Sequence, residues 1–140
     1  MAELNNCIFC KIIKGEIPSF KVFEDDQTYV FMDIHPVTKG HMLIIPKHHA
    51  QYVKDLSDDL AGHLMKIGRK MNILVRNKLK CDDVFMYISD GKHAGQEVPH
   101  CHLHIIPRYK DDGFGFKFPE NYNDPVDMEK IEDTFKTLKE

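Results

Sequence analysis

Apolar residues recur along this chain with two periods. Over residues 19–46 they come in short runs. "SFKVFEDD" (19–26) alternates, with Phe20, Val22 and Glu24 on one face and Lys21 and Phe23 on the other, which predicts a strand. Asp25 and Asp26 then suit a tight turn. "TYVFMDI" (28–34) and "HMLIIP" (41–46) read as further strands around the loop "HPVTKG". Such short, adjacent runs predict antiparallel pairing. From Asp58 to about Lys78 the period lengthens: Leu60, Leu64, Ile67, Met71, Leu74 and Val75 fall at helical spacing. Ser57 precedes them as a predicted N-cap, with Asp58 and Asp59 at the positive end of the helix dipole. "DVFMYIS" (83–89) and "HCHLHIIP" (100–107) return to strand character across the loop "DGKHAGQEV". "CIFCKIIKGEI" (7–17) reads as a short helix or turn closed by Gly15. Asp124-Pro125 predicts an N-cap followed by proline in the first turn of a terminal helix, roughly 125–138. The pattern predicts one α+β domain over 1–140, an antiparallel five-stranded meander sheet with one long helix and a C-terminal helix, and not a doubly wound α/β fold.

Composition narrows the function classes. The 140 residues are 42% hydrophobic and 29% charged, with net charge −3. A nucleic-acid surface would need a basic excess, so no nucleic-acid partner is expected. A mononucleotide needs only a pocket and stays open. No apolar run approaches the roughly 20 residues that span a bilayer. "MAELNNCIFC" lacks the basic-then-apolar order of a signal peptide. A cytoplasmic protein without a membrane partner is expected, with Cys7, Cys10, Cys81 and Cys101 as thiols or metal ligands.

Three of the nine histidines stand at alternate positions: His100, His102 and His104. On a strand they share one face, about 6.6 Å apart, while Cys101, Leu103 and Ile105 enter the core on the other. The expected pattern is imidazole-out and apolar-in. The imidazoles could bind one metal. Alternatively, one could be a nucleophile for phosphorus, with its other ring nitrogen held as N–H and donors nearby to meet phosphoryl charge. Upstream, Gly95 permits close backbone approach and Gln96 offers an amide donor, and no carboxylate pair suited to a divalent metal lies in this stretch. These favour the nucleophile.

At these residues the sequence resembles the histidine triad (HIT) family, whose motif His-φ-His-φ-His-φ-φ is matched throughout by "HCHLHII" (100–106). "CIFCKIIKGEIPSFKVFEDD", "FMDIHP", "GHMLIIPKHH" and "AGQEVPHCHLHIIPR" are similar to the family's N-terminal, ribose-binding, third-strand and active-site segments, in that order. The branch resembled is that of small HINT-like nucleotide-binding hydrolases. The resemblance implies a HIT-like fold and cleavage of purine nucleoside phosphoramidates through a nucleotidyl-histidine intermediate, releasing a nucleoside monophosphate. It implies His102 as nucleophile, His104 at the phosphate and leaving group, Gln96 beside them, and Asp33 on the ribose hydroxyls. Ile8, Phe9, Ile12, Ile17, Phe31 and Ile34 match the slot for an AMP- or GMP-type base; each also suits ordinary core. Ser89 stands where many members carry Asn. Dinucleoside polyphosphate hydrolysis and a nucleotide-binding adaptor are the competing expectations.

"CIFC" (7–10) alone is a weak signal, because a thioredoxin-type site needs a preceding strand and a zinc site needs two more ligands. The resemblance implies a structural zinc on Cys7, Cys10, His49 and His100, with His48 the competing ligand. It also implies a homodimer. "RYKDDGFGFKF" (108–118), with three Phe and two Gly, is expected as a mobile edge near the pocket or the dimer seam.

Overall fold

The computed structural model describes residues 6–139; the beginning of the N-terminal stretch weighed as a leader lies outside them. Helix α1 (Ile8–Ile13) opens the chain. Strands β1 (Lys21–Glu24), β2 (Thr28–Met32) and β3 (Met42–Pro46) follow as a meander. After α2 (Asp58–Leu79), β4 (Asp83–Tyr87) and β5 (Leu103–Arg108) form a hairpin, and α3 (Met128–Leu138) ends the chain. The five strands are antiparallel in the order β1-β2-β3-β5-β4, so β5 crosses back to join the meander and leaves β4 at an edge.

The predicted long helix is present, and its cap works as expected: the Ser57 hydroxyl accepts the N–H of Leu60 at 3.1 Å. Its apolar stripe, Leu64, Ile67, Met71 and Val75, packs on Val30, Met42, Ile44, Cys101, Leu103 and Ile105. Gly68 lets the helix sit close, since a Cβ there would meet the ends of Leu103 and Met86 at 2.9 Å. The opposite face of the same strands, Tyr29, Phe31, Leu43 and Ile45, packs on Cys7, Phe9, Cys10 and Ile12 of the α1 segment. β2 and β3 are thus covered on both sides, which explains why they read as unbroken apolar runs.

The β1–β2 turn is built on Asp25, whose Oδ1 accepts the N–H of Gln27 at 2.9 Å, the N–H of Thr28 at 2.7 Å and the Thr28 hydroxyl at 2.8 Å. Its Oδ2 meets His63 Nε2 of α2 at 2.7 Å. Burial opposes the charged carboxylate, yet these bonds together hold its pKa well below the usual range.

Two expectations change. β1 does not alternate strictly, because a bulge between Lys21 and Phe23 shifts the register and turns both Val22 and Phe23 toward the α2 core. The terminal helix starts at Met128, capped by the Asp127 carboxylate on the N–H of Lys130 at 3.2 Å. Asp124 instead lies in a turn, its N–H bonded to Asn121 O at 3.1 Å. Segment 108–118 is pinned at its start, where Arg108 grips Asp112 at 2.7 and 2.9 Å and reaches the Phe114 carbonyl. Among the described residues no helix is long and apolar enough to cross a membrane.

Candidate active site and metal centre

The regular strand begins at Leu103, so His100 and His102 lie on the approach to β5 and only His104 within it. The triad does not face solvent as expected. His100 is fully buried and His102 is 6% exposed. The cause is α1: Phe9 lies edge-on to both imidazoles, with ring centroids 5.8 Å from His100 and 5.2 Å from His102. Cys101 does enter the α2 core, and burial pushes its thiol up to about 11.

Each imidazole has a distinct partner, and backbone groups fix where its proton sits. A carbonyl oxygen only accepts, so a ring nitrogen in hydrogen-bond contact with one must carry hydrogen. His100 Nε2–H therefore donates to Pro46 O at 2.8 Å. Its Nδ1 lone pair is left beside Cys7 Sγ at 3.4 Å and Cys10 Sγ at 3.6 Å. His102 Nδ1–H donates to the carbonyl of His100 at 2.7 Å, which leaves Nε2 with its lone pair. His104 Nδ1 lies 2.9 Å from Nε2 of His41, and Tyr87 stacks on the His104 ring at 4.2 Å and 6°. Burial lowers the pKa of all three triad rings, to about 4 for His100 and about 3 for His104. Near neutral pH they are uncharged.

His49 Nδ1 lies 3.3 Å from Cys10 Sγ, so Cys7, Cys10, His49 and His100 bring four ligand atoms within 4.8 Å of one another. His48 is exposed and stands outside this group. A tetrahedral zinc with bonds of about 2.0–2.3 Å sets its ligands roughly 3.3–3.8 Å apart, so the observed spacings fit. Helix geometry explains the pair: Cys7 caps α1, its sulfur accepting from Cys10 N–H at 3.4 Å, so both sulfurs share one end of the helix. Burial pushes the Cys10 thiol up to about 11, with the Cys7 contact adding to the rise. A dication would supply the positive charge that a thiolate pair needs.

Beside the triad lies a cleft of about 550 Å³. Its apolar lining includes Ile8, Phe9, Ile12, Ile17, Phe31 and Ile34. Its polar lining includes Asp33, Ser89, His102 and His104. All the expected base-slot residues therefore meet on one surface, including Ile34, which is 74% exposed. Asp33 is held by its own loop, with Oδ1 accepting the N–H of His35 at 2.8 Å.

Gln96 is placed differently. Its Oε1 accepts from Gly91 N–H at 2.9 Å and its Nε2 donates to Gln51 O at 3.1 Å, so the side chain ties the 90–96 loop together. Its neighbours Gly95 and Glu97 line the cleft instead. Gly95 holds φ +88°, a conformation that glycine adopts without steric cost. Among the lining residues that the sequence did not mark as site candidates are His41, Tyr87 and Glu97. For His41 a signal existed, a lone polar residue opening the otherwise apolar run 41–46.

Comparison with known proteins agrees with this architecture. The family model for the HIT domain matches residues 14–111. An adenosine 5'-monophosphoramidase of Candida albicans is 38% identical over 146 aligned residues, covering 100% of this chain and 93% of its own. The crystal structure of a HIT family protein from Bacillus anthracis is 39% identical, with TM-score 0.84 over 95% of this chain and 94% of its own. That of a zinc-bound histidine triad family protein from Mycobacterium smegmatis is 34% identical, with TM-score 0.75 over 81% and 83%. Other relatives of similar identity carry names that state no activity. With its motif, fold and family match in agreement, this chain belongs to the histidine triad family.

Proposed function

We propose that the cleft binds a purine nucleoside phosphoramidate and that His102 cleaves it through a nucleotidyl-histidine intermediate. The observation that carries this reading is the 2.7 Å bond from His102 Nδ1–H to the His100 carbonyl, in a ring that burial keeps neutral. Nε2 is then a lone-pair donor of fixed direction. It attacks the α-phosphorus, a bond from nitrogen to phosphorus forms, and the bond to the leaving amine breaks. The amine departs with the electron pair and a proton from water. Positive charge on the nucleotidylated ring strengthens its Nδ1–H bond to the carbonyl. Water then attacks phosphorus, its released proton neutralises the hydroxide left by the first step, and the bond from phosphorus to nitrogen breaks to release the nucleoside monophosphate and return the lone pair to His102.

In this reading Asp33 accepts the ribose hydroxyls, the six apolar residues hold the base, and His104 and Ser89 meet the phosphate. Gln96 shapes the loop around the phosphate through its bonds to Gly91 and Gln51. Cys7, Cys10, His49 and His100 would hold a zinc ion, which supplies a structural cross-link between α1 and the triad strand. The relative's activity as an adenosine 5'-monophosphoramidase supports this substrate class. A homodimer is supported by α3, where Met128, Ile131, Phe135 and Leu138 are all exposed along one stripe.

His102→Ala should lower turnover of adenosine 5'-phosphoramidate by at least about 10³-fold while AMP binding by calorimetry persists. Retained turnover overturns the mechanism. Faster wild-type cleavage of a diadenosine polyphosphate than of the phosphoramidate would reassign the substrate. AMP binding without turnover of either would point to an adaptor.

A further inference from the structure

We propose that His41 is a positioning residue that fixes the tautomer of His104, so that His104 turns an N–H, and not a lone pair, toward the reacting phosphate. The proposal rests on the nucleotidyl-transfer reading above and adds a residue to it.

The chain of reasoning begins at the backbone. The N–H of Val37 can only donate, and it points at His41 Nδ1 from 3.1 Å. A neutral imidazole that accepts at Nδ1 carries its proton at Nε2. His41 Nε2 lies 2.9 Å from His104 Nδ1 and 3.6 Å from Asp33 Oδ2. The first distance is a hydrogen bond and the second is beyond one. His41 therefore donates to His104 Nδ1, and the proton of the neutral His104 ring sits at Nε2. One backbone amide sets two imidazoles in series.

Surrounding contacts hold this order in place. His41 is 2% exposed. Its N–H donates to Thr38 O at 3.2 Å, and its carbonyl accepts from Asp33 N–H at 3.0 Å. Thr38 Oγ1 in turn donates to Pro107 O at 2.6 Å, on the histidine strand itself. Tyr87 stacks on His104 and restrains its plane. Burial lowers the pKa of both His41 and His104, so both rings are neutral near pH 7 and a tautomer is defined.

The same arrangement answers a competing reading. Asp33, His41 and His104 bring ligand-type atoms within 4.8 Å of one another, as a metal triad would. A metal at that point would need the lone pair of His41 Nε2. The Val37 amide leaves that atom protonated, which suits a hydrogen-bond relay.

The chemical consequence is a division between two histidines two residues apart. His102 offers a lone pair at Nε2 and His104 offers a proton at Nε2. The donor can meet negative charge developing on the phosphoryl oxygens during attack. Without His41, His104 is free to place its proton on Nδ1, and its Nε2 lone pair would then repel that charge.

The test is nitrogen-15 NMR of histidine-labelled protein, with kinetics on adenosine 5'-phosphoramidate alongside. In the wild type, His104 should show a protonated Nε2 and an unprotonated Nδ1. His41→Gln, which keeps an N–H donor toward His104, should preserve that signature and keep kcat within about threefold. His41→Leu should mix the tautomers and lower kcat roughly 10- to 100-fold with little change in KM, the size expected for loss of a positioned donor. A wild-type His104 protonated at Nδ1 overturns the proposal, and so does an unchanged tautomer in His41→Leu. If His41→Leu does not fold, the wild-type and His41→Gln spectra still decide. The spectra need no turnover, so a correct tautomer without phosphoramidate cleavage refutes the nucleotidyl-transfer reading alone.

Discussion

β2 and β3 present one face to α2 and the other to α1, and the two faces are held by different forces. Against α2, Val30, Met42 and Ile44 meet a long stripe of Leu64, Ile67, Met71 and Val75. This layer is apolar throughout, and its stabilisation follows the area removed from water. Against α1, Phe31 and Leu43 meet a helix of only six residues. So short a cover leaves part of the sheet open, and the open part is the cleft. What α1 lacks in area is made up by specific partners: two cysteine sulfurs, two imidazole nitrogens and the Pro46 carbonyl. The closed face depends on apolar volume and shape. The open face depends on which atom of each ring carries hydrogen.

Three perturbations can break or sharpen this contrast. The largest effect is expected from Cys10→Ala, which should take zinc content from about one equivalent per chain to none, as loss of a ligand from a four-ligand site does. Amide exchange should then speed up in α1 and leave α2 protected. Full zinc retention by elemental analysis would refute the proposed metal centre. Next, Leu64→Ala, on the closed face, should cost about 3 kcal/mol in denaturant unfolding, the usual price of a buried leucine. The kcat of the folded fraction should not change. A large fall in kcat would show that the two faces are coupled.

The smallest effect is on pH dependence. Burial brings the folded-state pKa of His104 to about 3, against an ordinary value of 6.5. Above pH 6.5 the ring is neutral in both states and adds nothing. Between 6.5 and 3 the unfolded chain takes up a proton that the folded chain refuses, so stability falls as pH falls. By pH 5 the loss from this ring is on the order of 1–2 kcal/mol. His104→Gln should make the drop in denaturation midpoint between pH 7 and pH 5 smaller. An identical drop would place the acid sensitivity in other groups.

The closed face was legible in the sequence and the open face only in part. Helix α2 announced itself because capping, dipole charge and apolar spacing all agree from Ser57 onward. The same logic failed at the last helix, where Asp124-Pro125 imitates a helix start three residues before the carboxylate of Asp127 provides the real one. The bulge in β1 could not be read, since it exists only as a mismatch with β2. The alternating histidines were legible as a chemical cluster, yet their burial was not, because it depends on α1 folding back from about ninety residues upstream. Gln96 was read from its amide and from the resemblance, while its bonds to the Gly91 amide and the Gln51 carbonyl depend on how the 90–96 loop folds. His41 escaped because its meaning depends on Val37, a residue with no chemistry beyond its amide.

The Asp25 turn has a consequence for how the sheet finds its pairing. A strand covered on one face has its register enforced by burial, because a slip of one residue would expose every apolar side chain. β2 and β3 are apolar on both faces, so the same slip would exchange one apolar set for another. Hydrophobic patterning alone penalises that error weakly. Asp25 supplies the missing discrimination: its carboxylate recognises the amides of Gln27 and Thr28 and the Thr28 hydroxyl, and so fixes the residue at which β2 begins. In this fold the start of β2, a strand apolar on both faces, is set by a single charged side chain in the turn that precedes it.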